Sequence, residues 1–320
     1  MMLDSIGTPL LWSAFTVFVL LALCVDLVLM RSKGAHRVGP REALLWSAFW
    51  IALAFIFNGW LWWYLDARLP PEEASELATQ FLTGYLLEKA LAVDNMFVFL
   101  MLFNYFAVPP ERQQRVLIYG VIGAILLRAV MIFIGAALIS QFHWILYLFG
   151  LFLLLTGVKM LWLGENMPDL DGNPILRWMS GHLRLTREFH GDKFRVKIAG
   201  VNHFTPLFLV MVMIAVTDLI FAVDSIPAIF AITTDPFIVL TSNVSAVLGL
   251  RALYFLLAAM ADRFHLLKYG LALVLIFIGT KMLIVDFWKV PVGWALLVVV
   301  LTIGVSMVVS LMVPVRKPAE

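Results

Sequence analysis

Residues 81–106 read "FLTGYLLEKALAVDNMFVFLMLFNYF". A run of this length crosses a bilayer as a helix, since about 20 apolar residues span the hydrocarbon core. Yet Glu88, Lys89 and Asp94 stand in its middle. On insertion scales each such charge costs about 2.5–3.5 kcal/mol at mid-membrane. Charges kept at that cost either neutralise one another in structural pairs or serve an ion pathway. The rest of the chain decides between the two.

Of the 320 residues, 62% are hydrophobic and 14% charged, with a mean hydropathy of +0.96. A soluble domain has about half its residues apolar and about a quarter charged. The hydropathy pattern predicts an all-α polytopic membrane protein of about nine transmembrane helices. They fall at 9–30, 43–65, 79–106, 115–139, 141–163, 203–231, 235–259, 267–285 and 290–313. The opening "MMLDSIGTPLLW" has no basic n-region, so it reads as the start of a retained first helix rather than a signal peptide. One cysteine, Cys24, excludes both a disulfide framework and a multi-thiolate metal site within one chain. Net charge is +2, and the basic residues are scattered between spans, so nucleic acid is not an expected partner.

Those basic residues orient the chain. Segments after the odd-numbered spans carry sixteen Lys and Arg, among them Arg31, Arg112, Arg184, Lys193, Arg263 and Arg316. The opposite side carries two, Arg68 and Lys289. The positive-inside rule then places the N-terminus outside (periplasmic) and the C-terminus in the cytoplasm. Trp60, Trp62 and Trp63 fit an interfacial aromatic belt at the outer end of span two. The mixed-charge segment 164–202 reads as a cytoplasmic linker without a catalytic motif.

The chain also repeats itself. "GVKML" (157–161) recurs as "GTKML" (279–283) and "FHWILY" (142–147) as "FHLLKY" (264–269), both at an offset of 122. "LRA" occurs at 127–129 and 250–252. "EKALAVDN" aligns with "DLIFAVDS" (218–225), pairing Glu88 with Asp218 and Asp94 with Asp224. Spans three to five therefore recur as spans six to eight: repeat one at 79–163 and repeat two at 203–285, with helices 9–30, 43–65 and 290–313 peripheral. Three spans is an odd number, so the second copy crosses in the opposite direction. Such three-plus-three inverted repeats place a transported solute at their interface near the midplane.

The duplicated carboxylates Asp94, Asp224, Glu88 and Asp218 are the candidate metal ligands, joined by the neutral oxygens of Asn95, Ser225 and Asn243. An all-oxygen set suits Mn²⁺, Ca²⁺ or Mg²⁺. Six residues separate the acids within each motif, which on an unbroken helix is ~9 Å of rise and ~120° of divergence. Pro227 predicts a local break that lets them converge and frees carbonyls near Ala222 and Val223. In the bland alternative Lys89, Arg128 and Arg251 neutralise the acids as structural pairs. Asp26 fits either a ligand or a helix-packing partner. Lys159 and Lys281 read as snorkelling residues near span ends, and His143 and His265 as interfacial.

At "YLLEKALAVDN", "TDLIFAVDSIPAIFAITTDPFIVLTSN" and "LGLRALYFLL" the chain resembles the TerC/Alx family of integral membrane proteins. The resemblance covers nearly the whole chain. It implies an inner-membrane exporter of Mn²⁺, with a fold related to cation/calcium exchangers and lysine-exporter-type proteins. Other members are linked to tellurium resistance, and a chloroplast branch to thylakoid assembly. The chain departs from the family pattern at Ala215, where an acidic residue is usual, and at Ser245, where Phe is usual. The expectation is a secondary transporter, not an enzyme, whose partners are a divalent cation and the bilayer, with no bound cofactor. A scaffold assisting membrane-protein insertion is the alternative, although it has no need of duplicated mid-membrane acids.

Overall fold

The computed structural model describes residues 5–33, 38–142, 144–163, 174–186, 188–198, 200–259, 266–288 and 290–313. His143, His265 and segment 164–173 lie outside them, as do the side chains of Asp94 and Asp224. The helices are α1 (Pro9–Lys33), α2 (Pro40–Asp66), α3 (Pro71–Tyr105), α4 (Pro110–Gln141), α5 (Ile145–Leu163) and α6 (Pro174–His182). A β-hairpin follows, β1 (Arg195–Ile198) antiparallel to β2 (Val201–Phe204). Then come α7 (Pro206–Phe230), α8 (Pro236–Val247), α9 (Leu250–Ala258), α10 (Leu267–Leu283) and α11 (Val292–Met312).

Seven of these helices open on proline. At the first helical position the missing N–H would have no intrahelical partner anyway, and the fixed φ suits the helix. At α8 the cap is explicit: the Asp235 carboxylate accepts from the N–H groups of Phe237 (2.8 Å) and Ile238 (3.2 Å). The same carboxylate receives Ser5 Oγ and Ile6 N–H, tying the start of the chain to α8.

Among the described residues six helices, α1, α2, α4, α5, α7 and α11, are long and apolar enough to cross a membrane, or seven if α8 and α9 form one span bent by 43°. This is fewer than the nine expected. α3 is 35 residues long but carries Glu88, Lys89 and Asp94, and α10 has 17 residues. The chain is a polytopic helical membrane protein on either count. Its outward faces are apolar: Leu20, Leu21, Leu45, Ile56 and Val305 are all exposed. Every residue of α8, by contrast, is buried. An apolar exterior of this kind suits lipid as the solvent.

Several edges depart from the hydropathy reading: α3 and α4 start at Pro71 and Pro110 rather than 79 and 115, and the span expected at 235–259 is divided into α8 and α9. The expected sixth span begins at 203, but residues 201–204 form β2, and α7 starts at Pro206. The expected linker contains ordered structure, α6 and the hairpin; Met179 of α6 is buried against the rest of the chain.

Inside the bundle α5 packs along α10, α3 along α8, and α4 along α7. The α5–α10 contact is close enough to demand glycine. A Cβ on Gly157 would sit 2.7 Å from the Ala272 carbonyl oxygen, and one on Gly279 would sit 2.6 Å from the Leu154 nitrogen. These are the glycines of the repeated "GVKML" and "GTKML". α3 and α7 run antiparallel: Gly84, before Glu88, lies against Ile229, after Asp218, whereas Met96 and Ile214 share one cavity wall on the other side.

Candidate functional site

Arg128, in the middle of α4, is fully buried. Its Nε and Nη2 donate to the two carboxylate oxygens of Asp218 at 2.9 and 3.0 Å, a bidentate fork. Its Nη1 donates to Glu88 Oε1 and to Asn243 Oδ1, the latter at 3.3 Å. Four elements, α3, α4, α7 and α8, thus meet at one guanidinium. The two acids are those paired by the internal repeat, and the structure brings them together with Asn243. One positive charge against two carboxylates leaves a net negative centre. Among the described residues Glu88 Oε2 and Asn243 Nδ2 have no hydrogen-bond partner. Nearby on the same elements, the buried hydroxyls of Tyr85, one turn before Glu88, and of Ser245 are also unpartnered.

The helix break expected near Pro227 does not occur. α7 runs unbroken to Phe230 with Pro227 in its last turn. Proline removes one donor, that for the Val223 carbonyl, and so close to a helix end this does not stop the helix. Since α3 is also continuous, neither motif contains the helix break that would bring its two backbone positions together. Asp94 lies ~9 Å along α3 from Glu88, and Asp224 ~9 Å along α7 from Asp218. Because the helices are antiparallel, those displacements point in opposite directions. Asn95 travels with Asp94, and Ser225 with Asp224; both are buried, and the Ser225 hydroxyl is unpartnered. Among the described residues no three His, Cys, Asp or Glu side chains lie close enough to hold a metal ion.

The break falls elsewhere. α8 ends at Val247 with Leu248 as its C-cap, and Gly249 takes a left-handed φ of +80° before α9. A Cβ there would meet Trp50 at 2.5–2.7 Å, so glycine is required twice over. Lys89 Nζ donates to the carbonyls of Ala246 (3.1 Å) and Leu248 (3.3 Å) at this turn. A cation at a helix C-terminus meets the negative end of the dipole. Lys89 therefore holds the broken span rather than neutralising an acid. The signal that could have shown this is Gly249 in the apolar run "NVSAVLGLRALYF".

The other basic residues divide. Arg251, repeat counterpart of Arg128, pairs through Nη2 with Asp26 Oδ1 at 2.7 Å, so Asp26 docks α1 on α9. Lys159 is exposed, as a snorkelling residue should be, but Lys281 is only 9% exposed. Its position on α10, packed against both α5 and α11, keeps it inside the bundle. Ala215 faces α4, where a Cβ on Gly123 would lie 3.9 Å from it. It sits one turn from Asp218, which lines a cavity of about 10 Å³, the size of one water.

Comparison with known proteins places the chain. The family model described as "Integral membrane protein TerC family" matches residues 73–318. A protein of Photorhabdus laumondii named "Putative membrane-bound redox modulator Alx" is 52% identical over 318 residues, 99% of each chain. One of the same name from Escherichia coli K12 is 55% identical over 297 residues, 93% of this chain and 92% of its own. An uncharacterized membrane protein of Rickettsia felis is 38% identical over 300 residues, 94% of this chain and 97% of its own. No solved structure matches. With its AVDN and AVDS motifs embedded in α3 and α7 and a family match over most of its length, the chain belongs to the TerC family of integral membrane proteins.

Proposed function

We propose that the chain is a secondary transporter exporting divalent cations, manganese first among them, across the inner membrane. The observation that carries the reading is the meeting of Glu88 and Asp218, acids related by the internal repeat, at the fully buried Arg128. A transporter with an inverted repeat has its solute path at the repeat interface. The packing supports that repeat. Exchanging the copies turns the α3–α8 contact into the α7–α4 contact and maps α5–α10 onto itself. The contact of Gly84 with Ser242 has its counterpart in that of Gly120 with Ile214. The nine-span count follows if α3 and α10 cross as well, which puts the N-terminus outside and the C-terminus in the cytoplasm.

Charge supports a cation. At the Arg128 centre two carboxylates, Glu88 and Asp218, stand against one guanidinium, a net negative charge that attracts a cation. Oxygen donors suit Mn²⁺, with Ca²⁺ and Mg²⁺ as chemical neighbours. Asp94 belongs to the cytoplasmic half and Asp224 to the outer half, with the Arg128 bridge between them. In this reading the bridge closes the path, the two aspartates receive the ion on either side, and the acids of the bridge take it over as Arg128 swings away.

The relatives' name suggests a redox role instead. Its only support is that name, since a single exposed Cys24 supplies no dithiol within one chain. The test is cellular manganese content at fixed external Mn²⁺. Cells producing the protein should hold less manganese than cells lacking it. Equal content would reject export.

A further inference from the structure

A second polar site lies away from the Arg128 centre. A cleft of about 290 Å³ opens where the end of α7 and the turn after it meet α3, α5 and α10. Lys281 lines it, 9% exposed and without a hydrogen bond or ion pair among the described residues. A buried ammonium in a membrane protein needs a counter-charge or carbonyl partners. Lys281 stands in the last turn of α10, where the dipole favours a cation, but unlike Lys89 it has no carbonyl hydrogen bond among the described residues. The neighbouring acids are already engaged. Asp235 caps α8 and holds Ser5 and Ile6. Asp286 accepts from the Tyr147 hydroxyl, and Glu76 from the Gln80 amide at 3.4 Å. Among the described residues no carboxylate lines the cleft.

What does line it can donate. Thr233 Oγ1 accepts from the Asp235 N–H at 3.3 Å, leaving its own hydrogen for another acceptor, and Thr234 stands beside it. Gln80 is on the same wall, its NH₂ held by Glu76. One ammonium with two hydroxyls is a donor set for charged oxygen. It repels a metal cation, so the cleft is not an extension of the acid pathway. The repeat counterpart, Lys159, is exposed, so only one half of the molecule has this feature.

We propose that the cleft binds a phosphate-type oxyanion, free or as the headgroup of an anionic lipid, through Lys281, Thr233 and Thr234. The site is independent of the transport reading, and its test involves no manganese. The full-length protein is purified in detergent and stripped of lipid. Its melting temperature is then followed against inorganic phosphate, with chloride at equal ionic strength as control. In parallel, native mass spectrometry measures retention of phosphatidylglycerol. A phosphate-specific rise supports a free anion, and retained phosphatidylglycerol without such a rise supports the headgroup. In either arm Lys281→Gln should weaken binding about tenfold or more, while Lys281→Arg keeps it. If Lys281→Gln does not fold, Thr233→Val with Thr234→Val is measured instead and should also weaken binding. The proposal fails if wild type responds to neither probe. It fails equally if the folded Gln variant, or the double Val variant in its place, binds as wild type does.

Discussion

A guanidinium shared by two buried carboxylates shows its value when it is removed. Arg128→Gln leaves Glu88 and Asp218 uncompensated in the bundle core, a loss of about 3–5 kcal/mol by comparison with other broken buried pairs. The melting temperature of the detergent-purified variant should fall accordingly. Neutralising all three positions, with Glu88→Gln and Asp218→Asn added, should recover most of it. A single variant that melts like wild type would show that the acids do not depend on Arg128. Ala215 offers a gain instead. It lies one turn from Asp218, so Ala215→Glu should add a carboxylate to the ion path and tighten Mn²⁺ binding, with Ala215→Gln doing less. Binding of Mn²⁺ to both purified, folded variants checks this. No improvement with Glu would remove position 215 from the site.

Among the elements, the α8–α9 break makes the sharpest demand. Gly249→Ala places a side chain at φ +80°, about 1–2 kcal/mol unfavourable in itself, and drives it into Trp50. The variant should lose stability and abundance together; wild-type stability would contradict the left-handed turn. Lys89→Met removes both carbonyl contacts and should cost about 1.5–3 kcal/mol in the same assay. How legible were these elements? Span edges could be read from hydropathy and from prolines at helix starts, and the repeat from its recurring offsets. The partners of Glu88 and Asp218 could not. Arg128 is 40 residues from one and 90 from the other, and only packing joins them. Pro227 misled because the break rule applies to helix interiors, whereas here the helix ends three residues later. The true break lies at a single glycine, Gly249, which hydropathy alone passes over.

For the whole molecule, the proposed inverted repeat would fix which loops share a side of the membrane. Cysteine-accessibility mapping should find residues 72–76 outside and residues 180–195 in the cytoplasm. Both on one side would dismantle the repeat, and with it the argument for a transporter. Protons compete with metal for carboxylates, so Mn²⁺ binding should weaken on acidification and strengthen on alkalinisation. The most direct test of the account is manganese flux by purified protein in liposomes loaded with a manganese-sensitive fluorophore. Wild type should carry Mn²⁺, and Asp94→Asn and Asp224→Asn, reconstituted to the same level, should each lose most of the flux. Wild-type liposomes no more permeable than empty ones, or Asn variants as fast as wild type, would contradict it.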